Sequence, residues 1–122
     1  MELRCHCGKI KLQVPKSPKA LTSCNCSVCH RYGALWGNYE PHLVQIEAVT
    51  TDMQPYSWAE KYVAFIHCKG CGCLTHYVTT EKTKEATVGV NFRMAERAAI
   101  HTIPIRYFDG AETWTFLEGP EK

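Results

Sequence analysis

Cys68-Lys69-Gly70-Cys71-Gly72 is the stretch on which the fold turns. Two thiols separated by two residues, with glycine between and after them, converge across a tight turn in the way zinc ligands do. Two further ligands are needed to complete a tetrahedron. They stand far back in the chain, in Cys5-His6-Cys7-Gly8, where neighbouring ligands one residue apart point the same way from a strand end. Cys5, Cys7, Cys68 and Cys71 together make a four-thiolate set of the closed, structural kind. About sixty residues separate the halves, so a metal here closes a long loop and pins the first hairpin to the middle of a sheet. The plainer reading, four small buried apolar side chains, leaves the paired spacing unexplained.

A second group, Cys24-Asn25-Cys26-Ser27-Val28-Cys29, puts three thiols within six residues. Three protein ligands leave a fourth position for water or substrate, which is the mark of a catalytic zinc rather than a scaffolding one. His30, Cys73 or another side chain would close the tetrahedron in the alternative reading. Cys73 itself has three possible fates: a spare ligand beside Cys71, a free buried thiol, or the group that closes the second site.

The rest of the composition fits this picture. With 122 residues, 45% hydrophobic and 21% charged, the chain is expected to be one globular domain over residues 1–122, with a core thin enough to benefit from metal staples. The start, Met1-Glu2-Leu3-Arg4-Cys5, carries no basic region leading into an apolar run, and Tyr62 to Ile66 is far too short to cross a bilayer. A cytoplasmic location without membrane association is the expectation, and in a reducing compartment clustered cysteines serve as metal ligands or catalytic groups. The formal charge of +2 counts the cysteines as neutral; seven thiolates set against two zinc ions bring it to −1. With no run of lysine or arginine, nucleic acid is not an expected partner.

Lys9 to Val14 alternates polar and apolar residues, the period of a strand with one buried face. Leu43 to Val49, Lys61 to His67, Leu74 to Thr79 and Ala86 to Phe92 are short, rich in Val, Ile, Tyr and Thr, and bounded by turn residues. Arg93 to Ile100 has good helix formers over two turns, and Pro104 stops it. The expectation is a mainly β fold with one short helix.

Five ordered motifs carry a family resemblance: Cys5-His6-Cys7-Gly8; Cys24-Asn25-Cys26-Ser27-Val28-Cys29 with Gly33; Cys68-Lys69-Gly70-Cys71-Gly72; Val90-Asn91-Phe92-Arg93; and Pro104-Ile105-Arg106-Tyr107-Phe108-Asp109-Gly110. The chain resembles the glutathione-dependent formaldehyde-activating enzymes, whose domain is shared by centromere protein V. The resemblance implies a β-tent fold of small antiparallel sheets around a structural zinc, with Cys24, Cys26 and Cys29 as catalytic zinc ligands. It also implies a carbon–sulfur lyase or synthase acting on glutathione adducts. His30 stands where the family commonly has arginine, and Cys73 where it often has threonine or serine.

A zinc ion held by three thiolates is electron-rich, better suited to holding a substrate thiol as thiolate than to polarising a carbonyl. That favours chemistry on adducts of aldehydes with glutathione or another small thiol. Arg93 is a candidate for a substrate carboxylate and Trp36 for a pocket wall, against ion pairing and core packing as the plainer roles. His6, His67, His76 and His101 are read as hydrogen-bonded or solvated. The rival function is a binding module in which both zincs are structural and the sheets present a surface to a protein partner; a closed second site would argue for it.

Overall fold

The structure is a computed structural model that describes residues 1–57 and 62–117. It is mainly β, with eleven strands and two short helices among those residues. Strands β1 (Glu2–Arg4), β2 (Lys11–Gln13) and β5 (Gln45–Glu47) form a three-stranded antiparallel sheet. The other eight are β3 (Leu21–Cys24), β4 (Trp36–Tyr39), β6 (Met53–Tyr56), β7 (Val63–Cys68), β8 (Leu74–Thr79), β9 (Val88–Asn91), β10 (Ile105–Asp109) and β11 (Thr115–Phe116). They assemble in the order β11-β10-β3-β4-β9-β8-β7-β6. All neighbours in this larger sheet are antiparallel except β3 and β10, which run parallel with Phe108 opposite Cys24.

The period of two along these strands sorts side chains onto two faces. Leu21, Leu35, Val88 and Val90 go to one side, where they pack with Leu3, Leu12, Val14 and Phe92 in the main core. Trp36 goes to the other and joins Phe65, Leu74, Ala34 and Cys29 in a second cluster. A third cluster, Cys5, Ile10 and Cys68, lies where the two sheets meet.

The expected strands are found, some shortened at their ends. Lys9 to Val14 contracts to β2, and Leu43 to Val49 to β5, because Pro41–Leu43 forms a 3-10 turn before it. The start of the Lys61 to His67 strand lies outside the described residues, and β7 begins at Val63. The single expected helix over Arg93 to Ile100 is corrected in two ways. Phe92–Met94 is a 3-10 turn, because the Asn91 side chain accepts from the Arg93 N–H, and only Arg97–Ile100 (α2) is helical. A further helix, α1 (Ser27–Tyr32), stands in the middle of the cysteine segment.

Candidate metal centres and active-site chamber

Cys5 leaves β1, Cys7 sits in the β1–β2 turn, Cys68 ends β7, and Cys71 lies in the turn to β8. Gly72 makes that turn possible with φ of 81°, its N–H donating to the Cys68 carbonyl at 2.7 Å. The four sulfurs all lie within 4.8 Å of one another, with Cys5 to Cys7 at 3.8 Å and Cys7 to Cys68 at 3.5 Å. A tetrahedral zinc with ~2.3 Å bonds places its sulfurs about 3.8 Å apart, so the spacing fits the ion. The charge distribution fits it too. Around Cys7 the Lys9 N–H favours the thiolate, but burial and the sulfurs of Cys68, Cys5 and Cys71 push the thiol up to about 12. At Cys71 burial opposes ionisation, yet the backbone N–H groups of Cys73 and Cys7 hold it down at about 6. Sulfurs this close ionise together only around a cation.

The second group is built differently. Cys24 is the last residue of β3; Cys26 is the N-cap of α1, its sulfur accepting from the Cys29 N–H at 3.5 Å; Cys29 is buried in the first turn. The helix is only six residues long, held by the sulfur cap, by the Gly33 N–H on the Cys29 and His30 carbonyls, and by His30 and Arg31 in its last turn. Sulfurs of Cys24, Cys26 and Cys29 lie within 4.8 Å of one another, and no fourth Cys, His, Asp or Glu joins them among the described residues. His30 is exposed, and Cys73 packs with the Cys5–Cys68 cluster and meets Cys71. The Cys24 thiol is lowered to about 6, first by the Cys29 thiol and, against burial, by the backbone N–H groups of Cys26 and Gly110. Cys29 moves the other way, raised by Cys24 and by burial, with the Trp36 indole opposing. That indole N–H, though near enough to Cys29 to favour its thiolate, falls short of a hydrogen bond and is the one buried side-chain nitrogen or oxygen without a partner among the described residues. A metal-bound thiolate at Cys29 would give it an acceptor, which is a further sign that the group is built for an ion.

The three sulfurs line one end of a cavity of about 420 Å³. Its back wall is Trp36, Phe65 and Tyr77, whose rings pack edge to face or tilted at 4.8–6.1 Å. Its front wall is Phe108, Trp114 and Phe116 from the β10–β11 hairpin. Thr22 and Asn38 are its polar members, and the Tyr77 hydroxyl, raised to about 12 by burial and therefore a donor, donates a hydrogen bond to Asn38 Oδ1 at 2.7 Å. The hairpin is tied to the cysteine segment through Asn25, whose amide donates to Asp109 Oδ1 at 3.0 Å and accepts from the Ala111 N–H at 3.0 Å.

Of the residues singled out from sequence, the structure brings Trp36 to the chamber beside Cys24, Cys26 and Cys29. Arg93 is placed instead at the end of α1, its Nε donating to the Gly33 carbonyl at 3.0 Å. Asn91, in the same motif, is 3% exposed and joins β4, β8 and the 3-10 turn through Leu35, Leu74 and Arg93. The front wall was not anticipated. Its signal was Asp109-Gly110 between two aromatic β-rich runs, which reads as a hairpin.

Two cysteine groups on a mainly β scaffold, one of four sulfurs and one of three beside a chamber, define a class of β protein whose cysteines could hold two metal ions, an arrangement consistent with zinc. Residues 1–104 match the glutathione-dependent formaldehyde-activating enzymes, and the chain belongs to that family. Four of the five motifs lie within the matched stretch, and the fifth reaches it only at Pro104. A crystal structure of a Rhodobacter sphaeroides protein superposes with a TM-score of 0.70 at 21% identity, covering 86% of this chain and 99% of that one, a likeness of fold. No protein of curated function matches the sequence. No helix among the described residues is long and apolar enough to cross a membrane.

Proposed function

We propose that the chain is a zinc-dependent carbon–sulfur lyase or synthase that makes and breaks the adduct of an aldehyde with glutathione or a similar small thiol. Cys24, Cys26 and Cys29 hold the catalytic ion, and Cys5, Cys7, Cys68 and Cys71 the structural one. The observation that carries this is the contrast between the groups: four sulfurs closed at the junction of the sheets, against three that open into a chamber. When bound there, zinc supplies a position at which a substrate thiol is stable as thiolate near neutral pH.

The chain's own residues do the rest. Trp36, Phe65 and Tyr77 exclude water from the reacting carbon. The Tyr77 hydrogen bond fixes the Asn38 amide, which leaves its N–H₂ to donate to the carbonyl oxygen as that oxygen takes a proton. A second hollow shares Thr22, Trp36 and Asn38 with the chamber and carries Lys16 and Lys19, cations that suit the carboxylates of glutathione. Exchange spectroscopy by NMR tests the reading, with hemithioacetal formation and cleavage expected to be faster with zinc-loaded protein than with buffer. A protein that binds two zinc ions but accelerates exchange for no thiol and aldehyde pair would instead be a binding module with two structural ions.

A further inference from the structure

The chamber is larger and greasier than formaldehyde requires. Formaldehyde has two heavy atoms, whereas a cavity of about 420 Å³ falls in the range that holds an organic ligand of moderate size. Among the described residues, six aromatic side chains line it, and no lysine, arginine, aspartate or glutamate does. A charged substituent would be desolvated against these rings. An apolar one would be buried against rings whose faces and edges favour another ring.

The front wall carries the second observation. Trp114 is the single non-glycine residue with positive φ among the described residues, at 59°, and its side chain is 70% exposed. An indole left in water on a left-handed backbone carries two penalties. It is nevertheless held firmly: the Trp114 N–H donates to the Asp109 carbonyl at 2.7 Å, and its ring meets Phe108 edge to face at 5.0 Å. Phe116 packs on the other side of Phe108 at 5.0 Å and is capped by the Arg106 guanidinium at 3.7 Å. All three aromatic residues lie beyond the 1–104 match, whereas the cysteines of the floor lie within it. The cysteines thus fall inside the stretch that matches the family, and this front wall falls outside it.

Resting on the carbon–sulfur reading above, we infer that the carbon partner is an aldehyde bearing an apolar, preferably aromatic substituent, with Trp114 as the specificity-determining residue that covers it. The reaction balances without an oxidant or reductant: the sulfur lone pair forms the C–S bond, the carbonyl π pair moves to oxygen, and the proton of the thiol ends on that oxygen. Reversal releases the same thiol and aldehyde.

The test compares benzaldehyde with formaldehyde, both with 2-mercaptoethanol, on the zinc-loaded protein and its Trp114→Ala variant. Binding of benzyl alcohol, which cannot react, is followed in parallel by amide shifts in two-dimensional NMR. Trp114 is exposed, so the variant is expected to fold, and its amide spectrum reports whether it has. The expected result is a kcat/KM for benzaldehyde about tenfold or more above that for formaldehyde, and a ratio reduced roughly five- to tenfold in the variant. Benzyl alcohol should shift the amides of Phe65, Phe108 and Phe116 and bind the variant several-fold more weakly. Acceleration of formaldehyde exchange alone, or benzyl alcohol binding both proteins equally, would overturn this inference and leave the carbon–sulfur reading standing. Acceleration of neither exchange would overturn that reading itself.

Discussion

Cys24 and Gly110 face each other across the seam between β3 and the β10–β11 hairpin, and the gap admits no side-chain carbon. A Cβ on residue 110 would stand 2.6 Å from the Cys24 sulfur and 3.3 Å from the Cys26 Cβ, both in the three-cysteine segment. The Gly110 N–H also helps hold the Cys24 thiol down, so this glycine gives the sulfur both room and a donor. Gly110→Ala is therefore expected to displace Cys24 and lower the zinc content from about two ions per chain to about one. The melting temperature should stay within a few degrees of the parent, since the four-cysteine group is elsewhere. Elemental analysis beside thermal denaturation checks this, and a variant that kept both ions would show the sulfur free to shift. Trp36 acts at the same scale from the opposite side. An unpartnered buried N–H costs about 1–3 kcal/mol, a burden that is relieved when Cys29 is a thiolate.

Among the elements, β8 carries a feature that ties stability to pH. The pairing of β7 with β8 shifts register between Ile66 and His67, leaving Thr75 as an extra residue. Its hydroxyl donates to the Ile66 carbonyl at 3.3 Å and meets His76 Nδ1 at 2.8 Å, so the ring nitrogen is the donor there. His76 is 1% exposed, and burial lowers its pKa to about 4. Above the ordinary value of ~6.5 neither folded nor unfolded chain is protonated at this site. Below it the unfolded chain gains a proton that the folded chain refuses, so stability falls until the pH reaches about 4. Between pH 7 and 5 that amounts to about 2 kcal/mol. Urea denaturation of zinc-loaded parent and His76→Leu across this window should show the steeper loss in the parent. Protonation of metal-bound thiols is common to both proteins, so parallel curves would refute the assignment. Elements differed in how far they could be read in advance. Leu74 to Thr79 was legible because its β-branched and aromatic residues repeat between turns, whereas α1 was not. Ser27, Val28, Cys29 and Tyr32 are poor helix formers, and they are wound by the Cys26 sulfur, the Gly33 cap and burial of Cys29, none of which appears in a propensity. The two cysteine groups were legible from spacing alone. The aromatic wall was not, because Phe108 meets Cys24 through a parallel pairing between residues 84 positions apart.

At the scale of the whole molecule, the four-cysteine centre is a joint. Cys5 and Cys7 belong to the hairpin of the small sheet, Cys68 and Cys71 to the turn of the large one, and Cys5 and Cys68 pack with Ile10, all three at most 1% exposed. The cluster they form is small, so apolar packing by itself holds this junction weakly. Structural zinc binding is worth about 10–16 kcal/mol in small zinc domains, of the same size as the whole stability of an ordinary domain at about 5–15 kcal/mol. Losing the ion at the junction should then unfold the chain rather than loosen it. The three-cysteine centre lies within one sheet and the helix after β3, where α1 remains attached through β3 and the Gly33 cap whether or not an ion is bound. Removing a ligand from each centre in turn separates the two roles. Cys68→Ser is expected to give a protein with little native circular dichroism and no cooperative melt. Cys26→Ser should give a cooperatively folded protein that has lost about one ion of two and keeps its helix cap, because a serine hydroxyl at the N-cap accepts from the same Cys29 N–H. Both variants must be purified with zinc present and assayed for metal before melting. A Cys68→Ser protein that melted like the parent would show that the sheets hold together without the ion, and the division into a structural and a reactive centre would fall with it.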